Sequence, residues 1–445
     1  MVDADRFNNI HPGLSHEEAL LLLEKPVEEL SASSDRYMAA AHMLNFPGER
    51  TEQALLNLLE DEDDSQPTRL AKRKAVEVLA RLGCHSGIES IGRCLFSDDH
   101  YLVENAAWAL EKLGCQDPQV LNRMIQLLDD PQQNRRVLTQ SLAGLGVRHA
   151  LPVIRALQND QSPGVRGAAL AAVANLNGGN DRVGELVDHL FLPNQMDRQS
   201  AIQDVINAKA VELLPQVLQS PVSPVFRTRA LRMLWPPAEL VHQGQSLLEM
   251  IDTLMWDQPE NVELVHRYDE SLEPSFLFNE LFGTDFSRCY LAVKALTRFP
   301  ATSLWPLFEQ RWIKDAWNDY GAHYFFVRLL GRVNHLENIQ EKAEDICESA
   351  IDNHRPQFLK SRPAGILSLL QINRRRLTPL LAKLLSVEQE SSWQCRYAAL
   401  IALQTLILEE EMEESRGLSL LIKHPDPDFC VEQKRQAVWA LLTDL

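Results

Sequence analysis

The stretch HYLVENAAWALEKLG, His100–Gly114, decides how this chain folds. Val103, Ala106, Ala107, Leu110 and Leu113 recur at three- and four-residue spacing, which predicts an amphipathic helix with one buried stripe. The pattern returns along the chain. RKAVEVLARLG ends at Gly83, RVLTQSLAGLG at Gly146 and RGAALAAVANLN at Asn177, so the closing residues 83, 114, 146 and 177 lie 31, 32 and 31 apart. Equivalent positions are small or apolar: Ala75, Ala106, Leu138 and Ala169, then Leu79, Leu110, Leu142 and Val173. A Gly or Asn after each such helix predicts a left-handed C-terminal cap. A second apolar segment follows each time, as in IESIGRCLFS, QVLNRMIQLL and ALPVIRALQN, and Asp- and Pro-rich breaks such as SDDH and DDPQQ separate the units.

Two helices per unit at a fixed period near 30 predict an all-α fold, a curved α-solenoid of HEAT-like helix pairs. A single unit cannot bury its own apolar face, so neighbours must stack. Regular repeats are expected over 35–252 after an N-terminal segment, 1–34. From about Trp256 to Tyr324 the period is lost and aromatics crowd in, with Arg288, Arg298, Arg311 and Arg328 interleaved. This segment, 253–330, is expected to be an atypical helical middle lining the concave face. Helical repeats and a cap resume over 331–445.

The bulk properties exclude several roles. A formal net charge of −18 opposes nucleic-acid binding, which needs clustered Lys and Arg. The acidity is partly local, in EDEDD (Glu60–Asp64) and EEEMEE (Glu409–Glu414), both read as solvated edges. No stretch has the roughly 18 apolar residues of a membrane span, and MVDADRFNNIHPG has no signal-peptide pattern. The seven cysteines form no CxxC pair, which fits reduced thiols better than a disulfide scaffold or a structural zinc site. A cytoplasmic protein is expected, without metal, nucleotide, nucleic acid or membrane insertion.

No nucleotide-binding, zinc-protease or nucleophile-elbow motif is present. His323 with Tyr320 and Tyr324 is the best acid/base cluster, because residues three and four apart share a helix face; Asp319 lies beside it. Cys84–His85 reads as an inter-helix loop pair, and Cys115 occupies the same place one repeat later. Arg beside Trp or Tyr suits a flat, conjugated, anionic ligand through stacking and carboxylate pairing.

YLVENAAWALEKLG and SRCYLAVKAL (Ser287–Leu296) resemble the HEAT-like repeats of phycobilin lyases of the E/F clan, in particular the longer single-chain lyases and lyase-isomerases of cyanobacterial phycoerythrin α-subunits. The resemblance spans roughly residues 35–408. One departure is Glu104, where a basic residue is common. The resemblance implies that phycoerythrobilin, as substrate, is joined by a thioether bond to a cysteine of the phycoerythrin α-subunit. Isomerisation to phycourobilin would additionally need a proton removed and another delivered. Tyr320, His323, Tyr324 and Asp319 are the expected proton carriers, and they favour a lyase-isomerase over a lyase. Tyr101, Asn105, Trp108, Arg288, Tyr290, Arg311, Trp312 and Trp317 are expected to hold the pigment. A HEAT-repeat interaction scaffold and a bilin chaperone without catalysis remain as alternatives.

Overall fold

The computed structural model describes residues 13–177, 182–270, 272–333, 339–409 and 422–443. The chain forms two compact units, Met1–Gly184 and Glu185–Leu445. Their described residues are mainly helical, as the repeat predicts, with one short strand pair in the second unit.

In the first unit the helices Asp35–His42, Gln66–Leu82, His100–Lys112, Arg135–Gly144 and Pro163–Asn177 lie side by side in chain order. Shorter second helices, such as Glu49–Glu60 and Pro118–Leu127, pack behind them. The predicted stripe is the seam: Ala75, Ala106, Leu138 and Ala169, with Leu79, Leu110 and Leu142, are all buried. Val103, Ala107 and Leu113 of the opening stretch join the same core. Burying a Leu or Val contributes about 1.5–3 kcal/mol each, and neighbouring pairs supply that burial to one another.

The predicted caps form at three of the four positions. Gly83, Gly114 and Gly146 take φ of 73°, 65° and 72°, the left-handed region that glycine enters without penalty. The next residue closes a six-to-one bond: Cys84 donates to the Leu79 carbonyl, Cys115 to Leu110 and Val147 to Leu142, each at 3.0 Å. Such a cap sets the residue after the glycine against the helix it ends. Cys84, Cys115 and Val147 are buried there, which makes the repeated cysteines packing groups. The cap after Asn177 lies outside the described residues. In the second unit Lys209 takes the glycine's role at φ 56°, with Ala210 donating to Val205.

A ladder of ion pairs ties each first helix to the loop opening a later pair. In the first unit Arg36 meets Asp61 at 3.0 Å, Arg73 meets Asp99 at 2.7 Å and Arg135 meets Asp160 at 2.8 Å. In the second unit Arg227 meets Asp257, Arg362 meets Glu390 and Arg396 meets Asp426, all within 2.6 Å and buried. Counted back from the closing glycines, Glu104 falls on the position of Arg73 and Arg136, so an acid stands where Arg73 makes its rung, and the Arg135 rung comes from one residue earlier.

The second unit departs from simple repetition. A two-residue antiparallel pair, Val241–His242 with Gln245–Ser246, turns through Gln243 and Gly244, both at positive φ, as a tight hairpin demands. Helix Ala301–Arg311 carries Pro306 and runs into a π-helical turn, Trp312–Ala316. A π turn adds a residue to the ring and rotates the following side chains. Leu277, Phe278, Phe308, Phe325 and Phe326 form the core here, with ring centroids 4.9–6.1 Å apart across the Phe278, Phe308 and Phe326 trio.

Candidate functional site

Most of the aromatic middle is core. Its polar heart was not expected from the sequence. Asp257, four per cent exposed at the end of helix Leu247–Trp256, accepts from the Tyr290 hydroxyl at 2.8 Å, from Arg227 at 2.5 Å and from Tyr324 in a still shorter bond. Tyr290 also accepts from Arg227 at 2.7 Å. Four elements therefore meet on one carboxylate. Burial raises both tyrosine hydroxyls well above their ordinary range, and the Asp257 charge adds to it. Both shifts favour the protonated phenol. Lys360 lies over Phe286 at 5.0 Å and over Tyr324 at 5.2 Å, and desolvation lowers its ammonium to about 8.

The expected proton-carrier group is not assembled. Helix Ala322–Leu330 begins after Tyr320, so Tyr320 does not share its face and is 63% exposed. Tyr324 points into the Asp257 knot. His323 points instead between Trp312 and Phe358, with centroids at 4.9 and 4.7 Å. Burial, then the nearby Arg355 and Lys360 charges, lowers its imidazolium to about 4. An enclosed imidazole held neutral is a poor general acid near neutrality, since it keeps only its weakly acidic N–H. Asp319 accepts from the Gly321 and Ala322 amides at 2.9 and 2.7 Å, capping the helix. The reason is local: the π turn and a late helix start break the three-and-four spacing that the sequence showed.

The residues expected to hold pigment are also scattered. Tyr290 is sealed in the knot. Trp312 is half-buried among Phe308, His323 and Phe326. Arg288 pairs with Glu280 at 2.7 Å, and Arg311 lies over Phe282 at 4.5 Å. Trp317 is exposed beside Ile313 and Tyr320 on the π-turn edge. In the first unit Asn105 donates to the Arg73 carbonyl at 3.2 Å, a tie between repeats, and Trp108 packs against that unit's core. Tyr101 is exposed with the Arg73 guanidinium 4.6 Å over its ring.

Two cavities in the second unit combine rings with cations. One, of about 350 Å³, is lined by Trp256, Gln258, Arg328, Gly331, Arg332, Leu367, Ser368 and Gln371. It adjoins the knot through Trp256, next to Asp257. Gly331 is required there, because a Cβ would sit 2.8 Å from the Ser368 Cα. Arg332 pairs with Glu260 at 2.7 Å. The other cavity, of about 530 Å³, holds Tyr268, Phe299, Lys294 and Arg298. Each sets cationic side chains beside an aromatic ring, and the second also carries Asp269 and Glu270. The sequence put Arg328 and Arg298 among the interleaved cations without singling them out. Only their folded surroundings distinguish them.

The chain is similar to known proteins over nearly its whole length. The HEAT repeats family model matches residues 53–143. The bilin biosynthesis protein CpeY of a Synechococcus species is 41% identical over 91% of this chain and 96% of its own. The uncharacterised phycocyanin operon protein Y of Pseudanabaena tenuis is 32% identical over 95% of this chain and 98% of its own. Among solved structures, the CpcE–CpcF complex of phycocyanin lyase from Nostoc is 24% identical over 56% of this chain and 97% of its own, with a TM-score of 0.47. The fold defines the class: an α-solenoid of HEAT-like helix pairs. Within that class the chain belongs to the phycobilin lyases of the E/F clan, alongside CpeY.

Proposed function

We propose that the chain attaches phycoerythrobilin, through a thioether bond, to a cysteine of the phycoerythrin α-subunit in the cytoplasm of a cyanobacterium. The observation that carries the reading is the cavity beside the knot, where the Trp256 indole and the Arg328 guanidinium line one space with Arg332, which is paired with Glu260. A linear tetrapyrrole is flat, conjugated and carries two propionates, so one propionate-bearing part of it matches that lining by stacking and by charge-assisted hydrogen bonds, the rest extending beyond a space of about 350 Å³.

The reaction is an addition. The partner's thiol sulfur bonds to the ethylidene carbon of ring A, and its proton ends on the neighbouring ring carbon. Nothing leaves, and no enzyme nucleophile is required. Consistent with this, burial raises the thiols of Cys289, Cys347 and Cys395, and raises that of Cys94 to about 11, so these cysteines are poor nucleophiles. What remains for the protein is to hold the pigment and bring the partner to it, which is proximity and electrostatics. Ile313, Trp317 and Tyr320 offer an exposed apolar edge for the partner.

The ground for isomerisation weakens, because His323, Tyr320 and Tyr324 are not brought together. We therefore favour attachment without conversion to phycourobilin. Mixing purified protein, phycoerythrobilin and the apo-α-subunit tests the reading. Pigment that stays on the subunit after denaturation supports it. Pigment that binds the protein and never transfers makes it a chaperone, and no pigment binding at all leaves a scaffold.

A further inference from the structure

We infer that Arg328 is the anchoring residue for one propionate of the bilin, with its guanidinium as the fixed point from which the pigment is laid along Trp256. The inference rests on the reading above and deepens it.

A buried guanidinium is costly to desolvate, and proteins pair it almost without exception. This chain obeys that rule elsewhere. Arg198, Arg227, Arg362 and Arg396 are buried, and each meets a carboxylate. Arg328 is six per cent exposed on helix Ala322–Leu330, yet among the described residues it makes no ion pair; its Nε lacks a hydrogen-bond partner, as do those of Arg198, Arg227 and Arg332, so the missing carboxylate is what sets it apart. It lines the cavity. The neighbouring Arg332 is engaged by Glu260, so the two arginines of this cavity are not equivalent. Arg298, in the other cavity, is exposed, and solvent meets its charge. Arg328 is the one of the three that is both buried and without an ion pair among the described residues. A carboxylate brought by the ligand gives it the partner its siblings have, and a planar bidentate pair also fixes orientation.

The test compares the pigment diacid with its dimethyl ester, which keeps the conjugated system and removes both charges. Binding of each to the full-length protein is followed by pigment absorbance and fluorescence. Wild type should prefer the diacid by at least about tenfold, the equivalent of ~1.4 kcal/mol. Arg328→Met should bring the diacid down to the ester's affinity while the ester is little changed. Arg298→Met should leave the preference intact. Because a buried arginine can matter for folding, Gln371→Glu serves as a second variant. It places a carboxylate on the cavity wall at an exposed position, leaves the guanidinium in place, and should abolish the preference by competition.

A preference that survives both Arg328→Met and Gln371→Glu overturns the inference, as does one lost in Arg298→Met; pigment transfer to the α-subunit would then still stand. A wild type that binds both forms equally also overturns it. Failure of the wild type to bind either form removes the functional reading and this inference together.

Discussion

Removing the imidazole at position 323 should change how the second unit's stability depends on pH. His323 is two per cent exposed, packed between Trp312 and Phe358, and titrates near 4 in the fold against about 6.5 in the unfolded chain. Above pH 6.5 both states hold a neutral ring, and the histidine adds no pH dependence. As pH falls below 6.5 the unfolded state takes up a proton that the folded state refuses, so unfolding is favoured progressively until the folded ring protonates near 4. At pH 5 the difference amounts to about 2 kcal/mol, and the full two and a half units approach about 3 kcal/mol. His323→Leu removes this linkage and fits the apolar pocket, since the Nδ1 atom has no hydrogen-bond partner to lose among the described residues. Urea unfolding of wild type and variant at pH 8 and pH 5 reads it out, and every other titrating group cancels in the comparison. Wild type should lose about 2 kcal/mol more than the variant on going to pH 5. Parallel losses would show that the ring is solvated or protonated in the fold, which would restore it as a proton carrier.

Asp257→Ala should cost about 3–5 kcal/mol, because it strands the Arg227 charge and leaves the Tyr290 and Tyr324 hydroxyls without their acceptor; thermal unfolding checks it. Gly331→Ala drives a methyl against Ser368 and should cost about 1–3 kcal/mol in the same assay, with pigment binding reduced as the cavity wall shifts. Trp317→Ala with Tyr320→Ala should stay within about 0.5 kcal/mol per substitution and weaken capture of the α-subunit; a change in stability without a change in capture would contradict the role given to that edge. A thiol reagent should label no cysteine rapidly in the native protein and seven after denaturation, since all seven are buried and free.

The helix pairs, their seam and their caps were legible because each depends on a few adjacent residues. Ala75, Leu79 and Gly83 carry their positions in their own spacing. The ion-pair ladder was legible in principle, as Arg36–Asp61, Arg73–Asp99 and Arg135–Asp160 recur 25 or 26 residues apart, but a single repeat does not advertise it. The middle was not legible in detail. Asp257 draws Arg227, Tyr290 and Tyr324 from 30 to 67 residues away, and no local pattern marks that meeting. His323 and Tyr324, adjacent in sequence, diverge into an aromatic slot and a polar knot because successive helical side chains point about 100° apart. Arg328 was visible as a cation among aromatics. Its lack of a partner is a property of everything folded around it.

The most direct test of the lyase account is co-expression with the enzymes that make phycoerythrobilin and with the phycoerythrin α-subunit, followed by an absorbance spectrum of the denatured, purified subunit. The account predicts covalent pigment at the phycoerythrobilin position, lost when this chain is omitted. A subunit that carries no covalent pigment, or carries it equally well without this chain, would contradict it.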